Sequence, residues 1–202
     1  MSYQLLKKDV IFYQRFLKAN GLYPYKIDGN WGPKTNQADA DFIEKSAVIA
    51  TQYGTYDARS EGNIITLAPK AQVAARQFLK VAKDNNLDIR IISGTRTYAE
   101  QNVLYSQGRT KTGPIVTYAK GGQSNHNFGI AWDIGIFNAR QGYIKTDANY
   151  VAFGTIVMGL FTNIEWGGNW HPNKDFPHYQ LKAVSDSVAT IRALFESGIV
   201  YV

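Results

Sequence analysis

Three histidines stand in a chain of 202 residues, and two of them have a carboxylate within reach. In Ser124-Asn125-His126-Asn127-Phe128-Gly129-Ile130-Ala131-Trp132-Asp133 an imidazole and a carboxylate are seven residues apart. A turn at Gly129 lets the loop imidazole and the strand carboxylate converge. His178, in Asp175-Phe176-Pro177-His178-Tyr179-Gln180, can supply a third ligand from a neighbouring strand. Two neutral imidazoles and one carboxylate make a catalytic zinc donor set that leaves the fourth position for water. The ion lowers that water's pKa toward neutrality. Asp175, three residues before His178, is close enough in the chain to act as general base. A second reading stays open at this point, because a His-x6-Asp spacing also arises by chance among unrelated polar residues.

The elements that must hold these residues can be read from periodicity. Residues 3–19 predict an amphipathic helix on Leu6, Val10, Tyr13 and Leu17, stopped at Asn20-Gly21. A turn-rich stretch leads to Pro33, which suits the first turn of a second helix to about Lys45. Residues 47–68 show no clean period and read as a linker or crossover. Pro69 opens a third helix with Ala74, Phe78, Val81 and Ala82 on one face. Residues 88–92 alternate as a strand, and Thr97-x-x-Glu100 is a capping box that starts a helix to about Gln107. Residues 108–125 form a long glycine-rich loop of the kind that is functional or mobile. Strands follow at 130–136, 164–166 and 177–181. A helix on Phe153, Ile156, Val157 and Leu160 lies among them, and one capped by Ser185 or Asp186 closes the chain. Short strands segregated from helices favour α+β with an antiparallel sheet over a doubly wound fold.

Composition narrows the classes of function. Hydrophobic residues at 45% and charged residues at 19% exclude a largely disordered chain. The absence of cysteine excludes a disulfide framework, a Cys-ligated zinc site and a thiol nucleophile. No apolar run approaches the roughly 18 residues of a membrane span, and MSYQLLKKDV lacks a signal-peptide core. Lys+Arg 22 against Asp+Glu 16 gives +6, which suits an acidic partner such as nucleic acid, a membrane surface or an anionic wall polymer. No recognition motif supports specific nucleic-acid binding.

Ser124-x-His126-x-x-Gly129-x-Ala131-x-Asp133, then Trp166-Gly167-Gly168-x-Trp170 and Asp175-x-Pro177-His178, resembles the M15 family of zinc peptidases. Ser93-Gly94-x-Arg96-x-x-x-Glu100-Gln101 matches the family's upstream segment, so the resemblance spans about residues 70–182. The nearest branch is the endolysin-type peptidases that cut the L-alanyl-D-glutamate bond of peptidoglycan. The resemblance implies His126, Asp133 and His178 as Zn²⁺ ligands, Asp175 as base and Arg96 as the cation that stabilises the developing oxyanion. Ser124 would orient a ligand or contact substrate, and Gln180 would support the site from the His178 strand, where alternation points both side chains the same way. Trp166, Trp170 and Tyr179 line a groove or belong to the core. His171 lies outside the motif and reads as a rim residue, and Glu165 reads as structural or supporting rather than as the base.

Gln14-x-x-Leu17-x-x-x-Gly21 and Asp28-Gly29-x-Trp31-Gly32-Pro33-x-Thr35, with Phe42, are similar to a small three-helix peptidoglycan-binding domain. The expected layout is therefore a helical module at 1–46, a linker at 47–68 and a zinc peptidase domain at 69–202. The expected protein is a monomeric zinc endopeptidase acting on bacterial peptidoglycan. It would be made in the host cytoplasm and reach the periplasm or wall by holin-type or effector-type release. A D-Ala-D-Ala carboxypeptidase or dipeptidase on the same scaffold is one alternative, and a non-catalytic zinc-stabilised wall-binding domain is another.

Overall fold

Strand alternation decides which side chains of a sheet can meet, since successive residues face opposite sides. The computed structural model describes residues 3–140 and 142–202, so the first two residues of the expected front module lie outside it. Among the described residues five antiparallel strands form one sheet: β1 (Asp88–Ser93), β2 (Ala131–Asn138), β3 (Gly142–Ile144), β4 (Ile164–Trp166) and β5 (His178–Leu181). The order is β1-β2-β5-β4. One edge of β2 carries β1, while the other carries β5 at residues 131–133 and β3, which periodicity did not anticipate, at 136–138. Asp133 lies opposite His178, Trp132 opposite Tyr179, and Tyr179 and Gln180 opposite Trp166 and Glu165. One face of the sheet therefore carries Asp133, His178, Gln180 and Glu165. The other carries Trp132, Tyr179 and Trp166, all buried in the core.

That apolar face is covered by α5 (Pro69–Asp84) and α7 (Asp147–Leu160). Phe78 of α5 meets Tyr179 and Phe153 edge-on, at centroid distances of 4.7 Å and 4.8 Å. The fold is thus α+β, a small antiparallel sheet flanked by helices. α6 (Tyr98–Ser106) begins at the expected capping box, with Thr97 and Glu100 reciprocally bonded. α8 (Val188–Ser197) is capped by Ser187, one residue beyond the expected caps, and stops at the left-handed Gly198. No helix among the described residues is long and apolar enough to cross a membrane.

The front of the chain departs from its expected outline. The first helix is two, α1 (Tyr3–Lys8) and α2 (Val10–Ala19), because Asp9 turns its carboxylate onto the Phe12 amide and caps the second. The residues read as a linker are helical. α3 (Pro33–Tyr53) runs eight residues past its expected end at Lys45, and α4 (Ala58–Ile64) follows. The inward residues of α3 are Thr35, Ala38, Asp39, Phe42, Ser46 and Ile49, helically spaced but mostly small or polar, so no hydrophobic stripe betrays them. α4 closes the outer edge of β1: Ser60 Oγ accepts from the Ile91 amide at 2.9 Å, and Asn63 Nδ2 donates to the Ile91 carbonyl at 2.9 Å. An edge strand left bare would offer those groups to another chain.

The front helices belong to the same hydrophobic core as the sheet. Phe12 packs on Phe195 of α8 at 5.2 Å, and Phe16 lies so close to Gly129 that a Cβ there would meet its ring at 2.7 Å. α1 and α2 are fastened to α3 through Asp39, which accepts from Tyr3, from Tyr13 at 2.8 Å and from Lys7 at 2.6 Å. Burial works against that charge, but the three donors outweigh it and hold the carboxyl below its ordinary range. A depressed carboxyl pKa stabilises the fold above the unfolded value near 4 and ceases to do so as pH falls through the folded one. Asp39→Asn should therefore cost about 1.5–3 kcal/mol at pH 7. In urea melts the gap from the parent protein should close as pH drops below about 4. A gap that persists in acid would exclude the carboxylate as its source.

Candidate metal centre

Three side chains bring acceptor atoms to one point. His126 Nε2 is 3.2 Å from Asp133 Oδ1, His178 Nδ1 is 3.2 Å from the same oxygen, and the two nitrogens are 3.3 Å apart. Among the described residues this is the one grouping of histidines and acids able to hold a metal ion. His126 lies on a 3₁₀ turn (Asn125–Phe128) that ends at Gly129 in the left-handed region, φ 71°. Asp133 and His178 are cross-strand partners on β2 and β5.

The outer nitrogens decide what the inner ones can do. His126 Nδ1 lies 2.8 Å from the Gly94 carbonyl, which can only accept, so Nδ1 carries the proton and Nε2 offers its lone pair. Gln180 directs its amide nitrogen to the Glu165 carboxylate at 2.8 Å, which also only accepts. Its oxygen therefore faces His178 Nε2 at 3.0 Å, and that nitrogen must donate. Two lone pairs and a carboxylate oxygen then converge with no donor between them. A cation is needed to reconcile them, a proton or a metal ion. Ligands around a tetrahedral ion with bonds of about 2.0–2.1 Å lie about 3.3–3.4 Å apart, so the set fits a divalent cation with one position left open.

Electrostatics follows the same geometry. Burial pulls the His126 pKa down to about 4, against the opposing charge of Asp133, which keeps the ring neutral near pH 7. Burial also opposes ionisation of Asp133, but the two imidazoles outweigh it and hold the carboxyl well below its usual range. His178 moves up: its burial is overcome by the hydrogen bond and charge of Asp133. Asp133 turns its second oxygen to Arg96, 3.3 Å away. Arg96 is held in turn by Gln101 at 3.0 Å. Asn127 fixes the backbone beside it, donating to the Arg96 carbonyl at 2.8 Å and accepting from the Gly122 amide at 2.9 Å.

The group opens onto a cleft of about 1080 Å³ lined by Arg96, Ser124, Glu165, Trp170, Asp175 and Gln180 together with the three converging residues. Thr117 to Ala119 of the long loop form one wall, and Lys174 and Lys182 stand at its rim. Asp175 reaches the cleft because Gly167 lets the chain pass: a Cβ there would meet the Asp175 carbonyl at 2.5 Å. Crowding by the surrounding protein and the charge of Asp133 raise the Asp175 pKa, against the pull of His178 and Arg96. Trp166 does not line the cleft. Its place on β4 turns it to the core face, where its indole N–H donates to the Phe176 carbonyl at 2.9 Å. Tyr179 is core as well, and His171 is exposed outside the cleft. Gln101 and Asn127 are site residues to which the sequence reading gives no role; the signal for Gln101 is its place in the upstream motif with Arg96.

A family model described as VanY, D-alanyl-D-alanine carboxypeptidase, matches residues 64–159, which include Arg96, His126 and Asp133 but end before Asp175 and His178. The chain is similar to the peptidoglycan L-alanyl-D-glutamate endopeptidase CwlK of Bacillus subtilis (strain 168). They are 36% identical over 123 residues, which cover 57% of this chain and 73% of that protein. It is also similar to the crystal structure of the L-Ala D-Glu endopeptidase ChiX of Serratia marcescens, with a TM-score of 0.48 and 25% identity. That likeness covers 63% of this chain and 89% of the other.

Zn²⁺ titration near pH 7 should show one equivalent bound by calorimetry. At 100 times the dissociation constant it should add about 2.7 kcal/mol to thermal stability. Replacing His126, Asp133 or His178 by Ala should remove both effects, and acid should weaken binding because protons compete for the imidazoles. Binding that survives all three replacements would place the ion elsewhere.

Proposed function

We infer the reaction from kinship and geometry together: the chain belongs to the VanY family of M15-type peptidases. It is a peptidase of the bacterial cell wall, and the finer reading is a Zn²⁺-dependent endopeptidase that hydrolyses the L-Ala-D-Glu bond of the peptidoglycan stem. The observation that carries the bond assignment is the 36% identity across 73% of an endopeptidase named for that bond. Lys174 and Lys182 in the cleft lining offer partners to the free carboxylates of a stem peptide, with Asp186 also in that lining. Wall binding by the front helices belongs to the same proposal, on the resemblance already given.

His126, Asp133 and His178 would hold the ion. When bound, Zn²⁺ supplies Lewis acidity that polarises the scissile carbonyl and makes hydroxide available near neutral pH. The rest falls to the chain's own groups. Asp175, facing the cleft, takes a proton from the attacking water on a carboxylate oxygen and returns it to the departing amine. Its raised pKa improves it as a base over an ordinary aspartate. Arg96, held by Gln101 and Asp133, keeps a fixed positive charge beside the carbonyl oxygen as negative charge grows there. A donor already in place needs no reorganisation at the moment of reaction, which is what makes such stabilisation large.

The description of the matching family favours a second reading, removal of the terminal D-Ala by a carboxypeptidase. Digestion of purified peptidoglycan separates the two. New amino-terminal glutamate found by mass spectrometry is the expected product, whereas release of free D-Ala alone would overturn the endopeptidase reading. Asp175→Asn should bind Zn²⁺ as the parent does yet lose about 10²–10⁴-fold in kcat. Retained activity there would remove Asp175 from the base role.

A further inference from the structure

Glu165 lies in the cleft wall with no part in the reaction just described, yet both of its oxygens are engaged. Oε2 accepts from Gln180 Nε2 at 2.8 Å, and Oε1 accepts from the Trp170 indole N–H at 2.6 Å. Both contacts lead to one imidazole. Gln180 carries its amide oxygen to His178 Nε2 at 3.0 Å, and the same oxygen is fixed by Asn125 Nδ2 at 2.8 Å. The Trp170 ring lies on the His178 ring, with centroids 4.8 Å apart and planes at 44°.

We propose that Glu165 is a positioning residue for His178: through Gln180 and Trp170 it fixes the ring with Nδ1 turned into the metal centre. The register of the sheet sets this up, since Glu165 lies directly opposite Gln180, and Gln180 is two residues from His178 on the same face. The chemistry demands a carboxylate. Trp170 and the amide of Gln180 are both donors, and a glutamine at position 165 would offer them one acceptor and one donor. Without that anchor only Asn125 still holds the Gln180 amide, so its oxygen is less firmly fixed toward His178 Nε2 and the ring less firmly set with Nδ1 in the centre. Partners behind a metal ligand orient it in this way, and their loss typically weakens metal binding by about 10–100-fold.

The inference rests on the metal-centre reading above, and the experiment separates the two. Zn²⁺ affinity is measured by competition with a chromophoric chelator for the parent, Glu165→Gln and Glu165→Ala. Visible spectra of the Co²⁺-loaded proteins and melting of the metal-free forms are recorded alongside. Glu165→Gln should melt near the parent temperature, bind Zn²⁺ about tenfold more weakly and shift the Co²⁺ bands, and Glu165→Ala should weaken binding up to about 100-fold. If Glu165→Ala does not fold, the isosteric Glu165→Gln decides alone. Parent-like affinity and spectrum in Glu165→Gln, with only a lower melting temperature, would make the role merely structural and overturn the proposal. Parent-like affinity with kcat abolished would overturn it too, by making Glu165 a base. A parent protein that binds neither Zn²⁺ nor Co²⁺ would overturn the metal centre itself.

Discussion

Three acceptors face one another across 3.2–3.3 Å with no proton donor supplied by the protein between them. Such a meeting is repulsive unless a cation sits in it, and much of the surrounding structure exists to hold the acceptors there. The Gly94 carbonyl keeps the His126 proton on the outer nitrogen, and Gln180 does the same for His178. Asp133 is shared between the cluster and Arg96, so its charge neutralises one cation while attracting another. Burial raises the stakes, because charges removed from water are costly unless matched. Protons compete with a metal ion for such a set, so acidity would set its occupancy.

The sheet makes this possible by parity. Along β4 and β5 every second residue belongs to the core and the others to the cleft. Trp166 and Tyr179 therefore supply packing while Glu165, His178 and Gln180 supply chemistry from the same seven residues of strand. Backbone closeness completes it. Gly94 can bring its carbonyl to His126 only because it lacks a Cβ, which would collide with Thr66 and the Asn63 carbonyl. Those contacts come from α4 and the turn after it, so an apparent connector is what presses the first loop of the site into place.

The cluster was legible in the sequence because its residue types are scarce and chemically specific: three histidines, one outside any motif, leave few combinations. Four of the five described strands, the capping box and the turn at Gly129 were legible for local reasons, whereas β3 was not. What escaped needed tertiary knowledge. Trp166, read as groove or core, could not be placed from the sequence, because which way a strand residue points depends on register with its partners. Residues 47–68 escaped because their buried apolar residues, Ile49, Ile64, Leu67 and Ala68, follow no single helical stripe, and Ser60 and Asn63 gain their meaning only against the β1 edge. Gln101 and Asn127 escaped because an amide is an ordinary residue until its two ends are seen bridging separate segments.

The contact between Phe16 and Gly129 bears on how this chain can be cut and spliced. A catalytic half and a targeting half suggest interchangeable cassettes, with a seam somewhere before residue 64. The seam is not there. Phe12 and Phe16 form the rear support of the turn that presents His126, and α4 seals the flank of β1. A chimera that swaps the front helices for a foreign segment would strip away the wall behind the turn that presents His126.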